Sequence, residues 1–227
     1  MTAVLPSPQP AAPGLLRLQH LTRVEDGERL HGLVWRAGDD WRMISSAVLG
    51  GGLGRRAWVL NAQVSHGYRR TDPERHLAGL ARDAGARGEG VGLMTAADVR
   101  SYGFACDAGV EAVVTAGLGV RGWAAAPAGS AVAPAGPGTV NIIVALPVAL
   151  TDAALVNAVA TATEAKVQAL LEAGYDCSGT PTDAVCVAAR TDPGREPHAF
   201  AGSRSLWGSR LARAVHGAVL SAASRAL

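Results

Sequence analysis

The hydrophobic pattern of the chain changes period partway along, and that change limits the available folds more than any other feature. Up to about residue 146 the apolar residues come in short β-rich runs: Leu15 to Leu21, Gly32 to Arg36, Arg42 to Leu49, Arg56 to Val64, Val91 to Thr95, Glu111 to Ala116 and Thr139 to Leu146. Runs this short, separated by Gly and polar residues, predict strands. Within that half, Thr71-Asp72-Pro73-Glu74 starts a helix that reaches about Ala84 and stops near Gly85, and Ala96 to Ser101 reads as a helical turn. Helical spacing dominates afterwards. Thr151-Asp152 caps a helix continuing through Ala173 to Gly174, and Arg204 to Ala226 forms another with Leu206, Leu211, Val215 and Val219 on one face. Asp183 to Ala189 is a compact strand between them. Strands followed by strand and helix units predict an α/β class, either a mixed-sheet α/β or an α+β layered single domain, with the strand order left open.

A length of 227 residues, 48% hydrophobic, is enough to bury one full core, so residues 14–227 are read as one domain. Two segments stand outside that pattern. Residues 1–13 form a Pro-rich leader expected to be disordered, lacking the basic and apolar regions of a signal peptide. Residues 124–138 are Ala, Pro and Gly with little else, and are read as a flexible surface loop able to act as a lid.

Composition excludes several functions. A net charge of +2 gives no basic field for nucleic acid. No apolar stretch approaches the ~18 residues needed for a transmembrane helix. Cys106, Cys177 and Cys186 are widely spaced and form no C-x-x-C pair, which predicts neither a disulfide framework nor a structural zinc site and places the chain in the cytoplasm. No metal set is visible, and assembly into a homo-oligomer is left open. Among the basic residues, 20 are Arg and only Lys166 is Lys. A lone Lys in a chain that otherwise uses Arg for charge reads as more than decoration.

Familiar motifs fail. Gly50 to Gly54 is followed by neither Gly-Lys-Ser/Thr nor a helix, so it is neither a phosphate loop nor a dinucleotide fingerprint, and reads as a hairpin turn or a backbone approach to a ligand. His66, just after the strand carrying Asn61, suits a general base or an ordinary surface histidine. On the 151–173 helix, Asn157, Thr161, Glu164 and Gln168 are four, three and four apart and share a face. Asn and Thr are weak helix formers, so a face turned to a ligand cleft explains them better than a solvated stripe. Lys166 points away from Glu164. The loop Cys177-Ser178-Gly179-Thr180-Pro181-Thr182-Asp183 gathers hydroxyls, a Gly and a carboxylate before a strand, as a polar turn or a ligand-contacting loop would.

Four segments in order, Gly138-Thr139-Val140-Asn141-Ile142-Ile143, Leu150 to Ala158, Thr161-Ala162-Thr163-Glu164-Ala165-Lys166 and Gly179-Thr180-Pro181-Thr182-Asp183-Ala184, resemble the adenosylcobinamide amidohydrolases of corrinoid salvage. Ser45-Ser46-Ala47 with its Gly-rich turn, Val59-Leu60-Asn61 and Val91 to Val99 agree with it. The resemblance spans roughly residues 30 to 220; the leader, the 124–138 loop and residues 202–208 fit it less closely. It implies hydrolysis of the amide joining the corrin ring of adenosylcobinamide to aminopropanol, releasing adenosylcobyric acid. It also implies no cofactor of the protein's own, the cobalt belonging to the substrate. A large disc rimmed by amides calls for neutral donors and acceptors more than for charge.

Amide cleavage needs an activated attacking group, a stabilised oxyanion and an acid for the leaving amine. On the resemblance, Glu164 or Asp183 orients or deprotonates the attacking group, with His66 as the competing base. Lys166, Asn61, Asn141 and the backbone at Gly179 or Thr180 serve the oxyanion and ring amides; Thr182 and Ser178 are alternative nucleophiles. Ser46, Gly51, Gly52, Asn157 and Thr161 complete the expected substrate contacts. The rival readings are a corrinoid-binding or trafficking protein without turnover, a different small-amide hydrolase or acyltransferase, and a domain with only a solvated stripe. Product analysis with adenosylcobinamide, a panel of plain amides, and the melting shift with a corrinoid separate them.

Overall fold

The computed structural model describes residues 14–127, 129 and 138–225, so the leader and most of the 124–138 loop lie outside the described residues. Among the described residues, ten strands form two sheets stacked between helices. The first sheet has the order β1-β2-β5-β6, from β1 (Leu18–Glu25), β2 (Glu28–Arg36), β5 (Trp58–Gln63) and β6 (Gly90–Thr95). The second has the order β4-β3-β10-β9-β8-β7, from β3 (Trp41–Ser45), β4 (Gly52–Arg55), β7 (Gly103–Asp107), β8 (Val110–Leu118), β9 (Gly138–Leu146) and β10 (Ala184–Arg190). Pairing is antiparallel except for β5 with β6 and β9 with β10, giving the mixed-sheet α/β class that the sequence predicts.

Each parallel pair is joined by a helix, α1 (Pro73–Asp83) in the first sheet and α2 (Asp152–Glu172) in the second, as parallel neighbours require a crossover. α3 (Leu206–Ala223) lies beside α2. The layers follow from side-chain alternation. On β9, Ile142, Val144 and Leu146 face α2 and α3, while Ile143 and Ala145 face the other sheet, packing with Leu33, Trp35, Met43, Val59 and Leu93. A third cluster, Val34, Leu60, Leu77 and Ala81, seats α1 on the outer face of the first sheet.

Four features differ from the sequence expectation. β7 is a strand it does not contain, set by Ala108 and Gly109, whose positive φ values of 43° and 92° make a two-residue hairpin into β8. Asp26 and Gly27 (φ 49° and 80°) do the same between β1 and β2, which extends the expected first strand to Glu25. The Gly-rich segment is only partly a turn, because Gly52 already pairs with Ser45 as the start of β4. Leu206 does not share the buried face of α3: it is 59% exposed, and Leu211, Val215 and Val219 pack with Ala214, Ala218 and Ala222 instead.

Candidate active site

After leaving the C-terminal end of β9, α2 runs back along the sheet, so its later turns overlie the beginnings of β9 and β10. Ala158, Ala162, Ala165 and Ala169 make its inner face. Lys166 is the one charged residue buried on that helix, and the strand it overlies begins immediately after Asp183. Lys166 Nζ donates to Asp183 Oδ2 at 2.5 Å, with the two side chains only 9% and 13% exposed.

Asp183 has further donors. The Val140 amide donates to Oδ1 at 2.8 Å, the Thr180 hydroxyl to Oδ1 at 2.5 Å and the Thr180 amide to Oδ2 at 3.2 Å. A carboxylate offers about four acceptor sites, and four donors occupy them. Its lone pairs are therefore committed to holding Lys166, β9 and its own loop. The ammonium has three donors and spends one on Asp183, which leaves it the freer partner. Gly179 makes the close approach possible. Its φ is +150°, and a Cβ there would fall 2.5 Å from Lys166 Nζ and collide with Asp183 Oδ2.

The pair opens on a groove of about 790 Å³ lined by Arg121, Trp123, Thr163, Val167, Thr180 and their neighbours. Its far wall, residues 120–124, is tied to the 177–180 loop. Gly122 N donates to Gly179 O (3.0 Å), Ser178 N to Gly122 O (3.0 Å) and Ala124 N to Ser178 Oγ (2.7 Å). A second groove of about 440 Å³, beside Arg56 and Glu89, contains none of the residues predicted for a site.

Lys166, Ser178, Gly179, Thr180 and Asp183 thus line one groove. Thr182 stands just outside that lining, with Oγ1 2.6 Å from Thr139 Oγ1 and donating to Gly138 O at 2.9 Å. Asn61 and Asn141 meet each other but face the space between the sheets, each 1% exposed. Asn141 Nδ2 donates to Asn61 Oδ1 (2.8 Å) and Met94 O (3.1 Å), Asn61 Nδ2 donates to Thr115 Oγ1 (2.9 Å), and Asn141 Oδ1 has no partner among the described residues.

The expected cleft-facing stripe on α2 does not form. Thr161 is buried, its hydroxyl donating to Ala201 O at 2.9 Å; Asn157 is exposed beside Gly202; Glu164 is exposed outside the groove lining; Gln168 bonds Glu172 on the surface. Only Thr161 is covered, by Ala201, and the other three lie on the surface, a distinction that helical spacing cannot reveal. His66 is exposed in the turn after β5, outside the groove. Ser46 continues the β3–β10 ladder, its amide donating to Val185 O and its hydroxyl accepting from Val185 N, both at 3.1 Å. Gly51 and Gly52 form the tight turn into β4.

Trp123 and Arg121 are groove residues that sequence reasoning passes over, although a Trp beside an Ala/Pro/Gly-rich segment is itself a signal. The three cysteines are free; burial pushes the Cys177 thiol up and the Cys186 thiol up to about 12, which disfavours the thiolate at both. Among the described residues, no three His, Cys, Asp or Glu side chains gather to hold a metal ion, and no helix is long and apolar enough to cross a membrane.

Residues 16–227 match the family described as adenosylcobinamide amidohydrolase. A curated protein of that name from Methanosarcina mazei is 34% identical over 183 residues, covering 78% of this chain and 86% of its own. Another of that name from Halobacterium salinarum is 48% identical over 84 residues, 37% of this chain and 35% of its own. In fold, the chain is similar to the crystal structure of the PH0078 protein from Pyrococcus horikoshii, with a TM-score of 0.51 at 12% identity, covering 92% of this chain and 84% of that one.

Proposed function

Because the chain belongs to the adenosylcobinamide amidohydrolase family, we propose that it hydrolyses the amide between the corrin ring of adenosylcobinamide and aminopropanol. The observation that carries this reading is the Lys166–Asp183 pair facing the groove beside Gly179. Lys166 is the electrophilic group: its unspent donors stabilise the oxyanion that forms when water adds to the carbonyl carbon. As the carbon–nitrogen bond breaks, Lys166 passes a proton to the departing amine and regains one from the added water. The products are the corrinoid acid and aminopropanol. Asp183 holds the ammonium in place, and the Thr180 hydroxyl and amide hold Asp183. Neither Glu164 nor His66 has a part in this scheme.

The reaction needs no cofactor of the protein's own, since the cobalt arrives with the substrate, and the chain acts on this small molecule in the cytoplasm without nucleic acid. Chromatography of adenosylcobinamide incubated with the protein tests the reading. Adenosylcobyric acid and aminopropanol are expected, with Lys166→Met and Asp183→Asn each lowering turnover by roughly a hundredfold or more, the scale of one oxyanion donor. Glu164→Gln is expected to turn over like wild type. Near wild-type turnover in both Lys166→Met and Asp183→Asn would sink the assignment.

A further inference from the structure

Hydrolysis as described leaves one part of the groove without a task. Trp123 stands at the rim, 44% exposed, the one aromatic side chain among the described residues lining the groove. An indole is a large apolar body whose burial is favourable, and a loosely held one folds down onto its own protein. The backbone that carries Trp123 is held on both sides. The residue before it is bonded to Gly179 and Ser178 through its amide and carbonyl, the residue after it donates to Ser178 Oγ, and its own carbonyl accepts from Ala126 N at 3.1 Å. Arg121, two residues earlier, is fixed as well: Nη1 donates to Leu118 O at 2.9 Å, and the guanidinium lies over the Tyr175 ring, 5.3 Å from its centroid. The rim is therefore a stiff platform whose height above Lys166 is set by the loop that positions Asp183.

We infer that Trp123 is a specificity-determining residue, its indole packing against the broad apolar face of the corrin ring. The inference rests on the amidohydrolase reading for the identity of the ligand. A groove of about 790 Å³ is of the size that encloses drug-sized molecules. A corrinoid with its peripheral amides and adenosyl ligand is larger, so only the scissile arm enters and the ring lies across the rim. The aminopropanol arm is small and polar and gains little from an indole; the ring offers a broad apolar surface at the right place. Holding the backbone that carries the aromatic in place before binding reduces the entropy lost when the ligand arrives.

Equilibrium dialysis of adenosylcobyric acid, which carries the same ring but lacks the scissile amide, followed by its visible absorbance, tests the inference on wild type, Trp123→Ala and Trp123→Phe. Trp123→Ala is expected to raise Kd roughly tenfold, the scale of one aromatic stacking contact, with Trp123→Phe recovering most of the loss. KM follows Kd, kcat stays within about twofold, and the melting temperature is that of wild type because the side chain is half exposed. Unchanged Kd in Trp123→Ala, a fall in kcat at constant Kd, or no corrinoid binding by wild type overturns it. The two readings fail separately. Binding that depends on Trp123 with no release of cobyric acid removes the hydrolase reading alone, whereas turnover with a Trp123-independent Kd removes this one alone.

Discussion

Replacing Gly179 by Ala tests the site with a single methyl group. At φ +150° an L side chain is strained by about 1–3 kcal/mol. The added carbon would also lie 2.5 Å from Lys166 Nζ and closer still to Asp183 Oδ2, so the pair has to separate. Losing a charge-assisted hydrogen bond between groups this well buried costs a further ~1.5–3 kcal/mol. At about 2–4 °C per kcal/mol for a chain of this length, melting is expected to fall by roughly 10 °C, and adenosylcobinamide hydrolysis by at least tenfold. Gly174→Ala is the matched control. Gly174 has φ +84° at the end of α2 with open space around it, so it reports backbone strain without the collision. Calorimetric melting and product chromatography on both variants separate the contributions. If Gly179→Ala melts no lower than Gly174→Ala and keeps its turnover, the close pairing of Lys166 and Asp183 is not what the site depends on.

Three more outcomes follow from the geometry. His76 is buried between Tyr68 and Glu25, with Nδ1 3.1 Å from the Tyr68 hydroxyl and Nε2 3.1 Å from Glu25 Oε1, and burial holds its pKa below the usual 6.5 although Glu25 pulls upward. A depressed histidine stabilises the fold above pH 6.5 and loses that contribution as pH falls through its lowered value. Melting temperature should therefore drop between pH 7 and 5, and the drop should shrink in His76→Gln. Asn61→Leu leaves the partner amide of Asn141 buried and short of a bond, costing about 1–3 kcal/mol. The double variant Asn61→Leu/Asn141→Leu should cost less than the two singles added, and strict additivity in a urea-unfolding cycle would refute their coupling. Turnover should survive exhaustive dialysis against a chelator; restoration of lost activity by an added metal would contradict the cofactor-free reading.

Residue identity was more legible in the chain than residue pairing. Lys166 stands out as the single Lys and Asp183 as the carboxylate ahead of a strand, yet helical geometry says only that Lys166 points away from Glu164. Its target depends on β9 and β10 being parallel neighbours, a long-range fact no local spacing contains. The polar stripe misled for a related reason. Period 3.6 identifies a face but not what covers it, and Ala201 covers Thr161. The five residues of β7, one of them Gly, carry little period-two signal, and the hairpin that sets the strand shows in the backbone only as the positive φ of Ala108 and Gly109. Asn61 and Asn141 enter the sequence reading as site candidates only through the resemblance; that they meet each other across the two sheets is again a long-range fact.

The burial of the chain's one lysine side chain makes this protein a natural single-address target for amine chemistry. A reductively alkylating reagent finds one side-chain amine in this sequence, and that residue is 7% exposed and engaged by Asp183. Mass added at Lys166 over time therefore counts how often the groove opens and the ion pair parts. A ligand that seats over the groove would slow that clock without any change in the fold.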